Sequence, residues 1–465
     1  MSISEITSKY KDDLKVLEVS SRINTNKNSV FFSGLSGNLD VILPLSVSQK
    51  DKLSHCFVLS DKEKALIFYS NLCNFLDKNK VYFFPFSFLS PYDDDLLNNA
   101  NVVMRTEAIQ AVVSRKKEKI YIVTYPEGLF EKFPSEKFQN KLSLSIEKKQ
   151  KLNIKSIRNT LVERGFSLED FITQPGDLAI RGNIIDVFSY SYKNPIRIEM
   201  DGDFVEKIKV FDVESQLTIK EVESVMVVSN LQSNEESKEY LSLFGFFDSK
   251  WCIWADSVSL SANIIYEKHL KSLELFKKTQ KKSNVLLKLP PEKIFLDKDS
   301  YLKEILAFKL VETQNKSIKK SQNVHFNSSP QPNFNKNLSL LADNLKDLEE
   351  KGYIIHISFQ SEEQVLRLTS YFESIGLTTK VKMLITKLSE GFVDHENKVV
   401  FYTDHQIFNR YYKHSFQPKV IKKQKNPIND RSELNTGDYV VHIDHGVGRF
   451  VGLEKIKSND IEHEV

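Results

Sequence analysis

The chain has 465 residues, 40% hydrophobic and 27% charged, with a net charge of +3. That length implies roughly two to four domains with apolar material for several cores. The near-neutral balance excludes a protein held on nucleic acid by bulk charge, and no window reaches the ~18 apolar residues of a membrane helix.

The first stretch alternates short apolar runs with helical spacing. Residues 29–33 (SVFFS), 55–59 (HCFVL), 81–84 (VYFF) and 120–124 (IYIVT) read as strands. Ala65, Phe68, Tyr69, Leu72, Phe75 and Leu76 fall at helical spacing within 62–77, and 102–113 reads as a further helix. Strands separated by helices imply crossovers and a parallel sheet. After about residue 126 the pattern changes. A helix over 157–165 ends at a glycine, and strands follow at 184–188, 195–200, 204–211 and 222–228. Asp201-Gly202 between two of them is a hairpin signal, so this part is an antiparallel sheet with a helix. Residues 235–310 return to helix and strand, with 250–255 (KWCIWA) a buried strand.

A polar tract at 313–337 (TQNKSIKKSQNVHFNSSPQPNFNKN) reads as a linker or loop. A second small α/β unit then spans 338–412, with strands at 353–359, 379–382 and 399–403 and a helix at 362–375. A basic connector follows at 413–435, including 419–425 (KVIKKQK). The last stretch, 436–465, contains GDYVVHIDHGVGRFVGL, a strand, turn and strand that open a small β-barrel. Two strands bury no core alone, so the expectation is that the barrel continues past Val465. The fold class is α/β multi-domain with an inserted antiparallel α+β unit.

Few residues assemble chemistry. Phe32–Leu39 (FSGLSGNL) lies where a phosphate loop would, but Phe32 replaces the first glycine, Asn38 the lysine and Leu39 the hydroxyl residue. Gly34 and Gly37 then serve a tight turn. Asp93, Asp94 and Asp95 read as a turn and helix start, with magnesium binding the lesser alternative. His442, Asp444 and His445 read as a β-turn in preference to a metal site. Lys277, Lys278, Lys281 and Lys282 read as a solvated helix face. Cys56, Cys73 and Cys252 are odd in number and lack CxxC spacing, so they read as buried residues of a reducing compartment. With no signal-peptide pattern at the N-terminus, a cytoplasmic protein is expected. In the antiparallel part, Arg164, Arg181, Asp186, Phe188, Arg197 and Glu199 suit either a protein-docking face or a solvated sheet with cross-strand ion pairs.

Three segments resemble known families. FFPFSFLSPYDDDLL (83–97) is similar to a segment shared by UvrB and the transcription-repair coupling factors. GDLAIRGNIIDVFSYSYKNPIRIEMDGDFVEKIKVFDVESQLT (176–218) resembles a pattern of the same two families. GDYVVHIDHGVGRFVGL resembles the start of the RNA-polymerase-interacting domain of coupling factors and CarD-like proteins, which UvrB lacks. In that order they resemble the front of a coupling factor. The resemblance implies a degenerate RecA-like domain in two parts (1–126 and 229–312) and an inserted UvrA-binding domain (127–228). It also implies a third domain (338–412) and the start of a Tudor-like polymerase-binding barrel (436–465).

It further implies UvrA docking through Arg181, Phe188 and Arg197, with Arg164, Asp186 and Glu199 as neighbours. Gly182 and Asp186 have setting strand geometry as an alternative role. His442, His445, Gly446, Gly448 and Arg449 begin the polymerase domain, whose partner is the β subunit. The ATP- and magnesium-dependent DNA translocase lies outside this chain, so no catalytic residue and no cofactor is expected within it. Two alternatives stand beside this reading: a divergent UvrB-like ATP-dependent helicase half, and a CarD-like transcription regulator.

Overall fold

The computed structural model describes residues 7, 10–25, 29–87, 99–114, 118–135, 143–213, 215–228, 239–282, 289–314, 322–410 and 412. In the last stretch it describes 437, 439–442, 446–449, 451–452, 455–458 and 461–464. Met1–Lys419 form one compact unit and Val420–Val465 another.

In chain order the first unit opens with helix α1 (Leu14–Thr25), strand β1 (Val30–Ser33), helix α2 (Leu39–Ser48), β2 (Ser54–Val58), α3 (Lys62–Phe75), β3 (Val81–Phe84), α4 (Asn99–Ser114) and β4 (Tyr121–Thr124). The antiparallel part follows: α5 (Ile154–Glu163), β5 (Ser167–Leu168), β6 (Asp177–Arg181), β7 (Ile184–Val187), β8 (Ile196–Asp201), β9 (Phe204–Phe211) and β10 (Thr218–Val222). Then come β11 (Trp251–Ala255), the long helix α6 (Val258–Lys282), β12 (Lys309–Glu312) and β13 (Gln322–His325). Last are β14 (Ser328–Pro330), α7 (Leu338–Glu350), β15 (Ile354–Phe359), α8 (Glu362–Ser374), β16 (Val381–Ile385), β17 (Phe392–Asp394) and β18 (Val399–Thr403).

The first sheet has seven strands in the order β13-β1-β12-β11-β2-β4-β3, all parallel. Its strands β2 (SHCFV) and β11 (WCIWA) are buried at every position. That is why they read as continuous apolar runs: a parallel sheet is covered by helices on both faces. Helix α3 starts where Asp61 accepts the Lys64 N–H at 2.9 Å.

Two buried polar clusters brace this sheet. Arg105 on α4 donates to the carbonyls of Pro85 (2.7 Å), Gly128 (2.8 Å) and Glu131 (2.9 Å), with its guanidinium 4.1 Å from the Phe84 ring centre. Between the adjacent strands β2 and β11, Trp254 Nε1 donates to His55 Nδ1 at 3.0 Å, so His55 Nε2 carries the proton and faces Asp51 at 3.2 Å.

The mainly antiparallel sheet has six strands in the order β10-β9-β8-β7-β6-β5, with only the edge pair β5–β6 parallel. Period-two alternation sorts its faces: Ile196, Ile198 and Met200 turn inward, Arg197 and Glu199 outward. The inward face packs on Ile157 and Leu161 of α5, four residues apart on one helical stripe. Gly202 and Asp203 make the β8–β9 turn, with Asp201 still in the strand opposite Phe204 and Gly202 at φ +56°; the turn thus lies one residue beyond the Asp201-Gly202 pair expected from the sequence. The strand expected over 222–228 divides. Thr218–Val222 pairs with β9, whereas Ser224–Val228 leaves the sheet and pairs with Ser143–Glu147. Within it Val225, Val227 and Val228 are buried, and that demand draws the segment away.

The polar tract at 313–337 is not wholly a loop, which corrects the linker reading. Gln322–His325 is an edge strand on β1, and Ser328–Pro330 pairs with β17. The third sheet has the order β14-β17-β18-β15-β16, with β15 parallel to both β16 and β18. A capping box at Ser361 and Gln364 starts α8.

In the second unit Tyr439–His442 pairs antiparallel with Gly446–Arg449, and Lys455–Ser458 with Ile461–Glu464. Asp93 to Asp95, Asp444, His445 and the basic connector around 419–425 lie outside the described residues. So does the His442 side chain. Lys277 and Lys278 are exposed on α6.

Candidate protein-docking site

Two of the places singled out in the sequence have a defined geometry. The first is the turn between β1 and α2. Gly34 and Gly37 both adopt left-handed backbone, at φ +80° and +52°. A Cβ at Gly34 would lie 2.0 Å from the Phe326 carbonyl oxygen, and one at Gly37 2.3 Å from that of Gly391. Both positions therefore need glycine for a close backbone approach as well as for the turn. Asn38 is 1% exposed. Its amide oxygen accepts the Glu390 N–H at 2.7 Å, and its own N–H donates to the Glu390 carbonyl at 3.3 Å.

The second place is the open face of the antiparallel sheet, built around Asp186 on β7. In register, Asp186 faces Ala179 on β6 and Arg197 on β8. Arg197 binds it in bidentate fashion, Nε to Oδ1 at 2.7 Å and a terminal nitrogen to Oδ2 at 2.8 Å. Arg181 reaches the same Oδ2 at 2.6 Å. These hydrogen bonds hold the Arg197 guanidinium above its ordinary range. One buried carboxylate thus orients two guanidiniums, leaving a net positive charge. Arg181 lies 5.2 Å from the ring of Phe171, and Arg197 4.5 Å from that of Phe211. Arg197 also reaches Gln216 at 3.3 Å.

The six expected residues divide. Arg181, Asp186 and Arg197 come together as one cluster. Glu199 pairs with Lys209 at 2.6 Å further along the face. Arg164 ends α5 as its C-cap. Phe188 is 1% exposed and packs with Ile172 and Ala179, against Val213. It is therefore not a surface anchor in this structure, because the segment carrying Ile172 crosses over it. Two exposed residues that sequence reasoning passed over are Phe171, 66% exposed and stacked against Arg181, and Leu217, 70% exposed and next in sequence to Gln216. Both lie in irregular segments where no periodicity marks them.

In the second unit, Arg449 is exposed and donates to the Gly437 carbonyl at 3.0 Å. Gly446 and Gly448 are strand residues. Among the described residues, no group of three His, Cys, Asp or Glu side chains is placed to hold a metal ion, and no helix is long and apolar enough to cross a membrane.

Comparison with known proteins agrees with this layout. The family described as "UvrB interaction domain" matches residues 144–232, which contain the whole arginine–aspartate cluster. The family described as "CarD-like/TRCF RID domain" matches residues 434–465. The chain is 23% identical to the transcription-repair-coupling factor of Borreliella burgdorferi over 99% of its length and 43% of the relative's. The factor of Rickettsia prowazekii is also 23% identical, over 89% of this chain and 41% of the relative. That of Staphylococcus aureus is 23% identical over 83% and 39%. The chain thus spans about two fifths of the length of the curated relatives it matches.

Proposed function

We propose that this chain, similar along nearly its whole length to transcription-repair-coupling factors, is the partner-docking part of such a factor. Its antiparallel sheet receives the excision-repair protein UvrA. Residues 436–465 belong to a domain that binds the RNA polymerase β subunit. The ATP- and magnesium-dependent translocation along DNA belongs to residues other than these, so this part has no catalytic role of its own. In this reading 1–126 and 229–312, with the edge strand Gln322–His325, form a degenerate RecA-like domain, 127–228 the UvrA-binding domain, and 338–412, with Ser328–Pro330, a third domain.

The observation that carries the reading is the row Phe171, Arg181, Asp186, Arg197 and Gln216. Arginine and aromatic side chains supply most of the energy at protein interfaces. Here both guanidiniums are already fixed by a buried carboxylate, so little ordering cost remains on binding. The alternative of an ATP-dependent helicase half is disfavoured by Asn38, whose amide is committed to Glu390.

Capture of purified UvrA by the 465-residue chain tests the site. Arg181→Ala and Phe171→Ala are each expected to weaken binding about tenfold or more, the effect of removing an interface anchor. Their melting temperatures should stay near that of the unaltered chain. Phe188→Ala should instead lose about 3–5 kcal/mol of folding stability, as a buried phenylalanine does. Undiminished UvrA capture by both surface variants would remove the site assignment.

A further inference from the structure

We infer that the turn at Gly34–Asn38, placed where a phosphate loop would be, is a socket whose ligand is a loop of the same chain, residues 387–391. This goes beyond the loss of a lysine. The place of the nucleotide phosphates is taken by polypeptide.

Four observations converge on it. Asn38 and Glu390 exchange two hydrogen bonds, backbone to backbone and amide oxygen to N–H. Ser389 is gripped from three sides: its hydroxyl accepts from Asn71 at 2.8 Å and donates to Asn38 at 3.4 Å, while its carbonyl accepts from His405 Nε2 at 2.8 Å. Leu388, 1% exposed, is buried in the same apolar cluster as Phe32 and Leu39 at either end of the turn. Finally, Gly37 approaches the Gly391 carbonyl so closely that neither a side chain nor an anion fits between them.

The opposite wall is closed as well. The Phe326 N–H donates to the Ser33 carbonyl at 2.7 Å, and the Ser328 hydroxyl to that of Gly34 at 2.6 Å. A phosphate loop offers its N–H groups to an anion. In this turn the N–H of Asn38 is spent on a peptide carbonyl, and the residue in the lysine position supplies an amide, which suits peptide groups and not phosphates. The socket fastens the α/β unit of β14–β18 to the seven-stranded sheet.

Hydrogen exchange on the whole chain tests this directly. In the unaltered protein the amides of Glu390 and Gly391 are expected to exchange as slowly as those of buried strands. Exchange at the rate of an open loop would overturn the inference. Asn38→Ala and, separately, Asn71→Ala should speed exchange at 388–391 by about tenfold, the effect of losing a buried hydrogen bond. Unchanged protection in both, with the fold intact by circular dichroism, would likewise overturn it.

A second arm uses Asn38→Lys with Leu39→Ser, which restores the cation and the hydroxyl, titrated with ATP and magnesium. No saturable binding is expected while 388–391 stays protected. Binding that appears only as protection is lost supports competition for one place. Binding with full protection shows that the loop does not fill the socket.

Discussion

Arg105 carries a full charge at zero exposure, and burying a guanidinium is costly unless its donors are met. Its terminal nitrogens donate to three carbonyls and two aromatic rings flank it, while Nε faces the Glu131 carboxylate at 3.7 Å, tying α4 to the ends of β3 and of the segment after β4. Arg105→Met would leave those carbonyls and the buried Glu131 carboxyl uncompensated. A loss of about 3–5 kcal/mol is expected from urea unfolding, the scale of breaking a buried pair by removing one partner.

His55 gives a pH dependence of definite sign. Burial pulls its pKa below the ordinary 6.5, against the opposing hydrogen bond it donates to Asp51. His405 is also lowered by burial. Below pH 6.5 the unfolded chain takes up these protons and the folded chain does not, so stability falls as pH drops through that value. Burial raises Asp51, but the His55 and Lys119 contacts outweigh it and leave the carboxyl below 3.8. Its contribution, present above 3.8, is lost only at lower pH. Urea midpoints should therefore decline from pH 7 to 5.5, and His55→Gln, though less stable throughout, should show a shallower decline.

At the level of elements, the β8–β9 hairpin is the feature the sequence announces most openly. The Asp201-Gly202 signal marks the hairpin but lies one residue early: the turn is Gly202-Asp203, and Gly202 is left-handed with open space around it. Gly202→Ala meets no clash, so only the backbone penalty of about 1–2 kcal/mol should appear in the unfolding free energy. Other elements were less legible. QNVH and SSP carry too little apolar pattern to read as strands. They exist because β1 and β17 offer unpaired backbone, and tertiary pairing overrides local preference. Thr218–Val228 reads as a strand only from 222, and the switch of partner at Glu223 has no local signal. Phe188 alternates correctly with Asp186 onto the outer face. Its burial depends on a crossing segment that no period within its own strand encodes.

For the molecule as a whole, the parallel and antiparallel sheets were readable because burial on two faces and on one face leave different patterns. The arginines of the docking face were readable as residue types in a resembling motif. Their common anchor on Asp186 was not, since it depends on a register across three strands. The junction of the third sheet with the first was also hidden. Leu384, Leu388, Phe392 and Phe401 belong to the core of the seven-stranded sheet although they follow it in sequence.

The seven-stranded sheet is assembled out of sequence, and that has a consequence for synthesis. Strand β1 is among the first to leave the ribosome, yet both its neighbours, β12 and β13, come from residues 309–325. Until those emerge, Val30, Phe31 and Phe32 present two bare edges, a template for pairing with other chains. A polypeptide ended before Lys309 should accumulate as aggregate, whereas one extended through Arg410, which also supplies Leu388, Phe392 and Phe401 to the same core, should stay dispersed when followed by light scattering. The nascent protein thus depends on its own delayed middle, or on a chaperone, to shield its beginning.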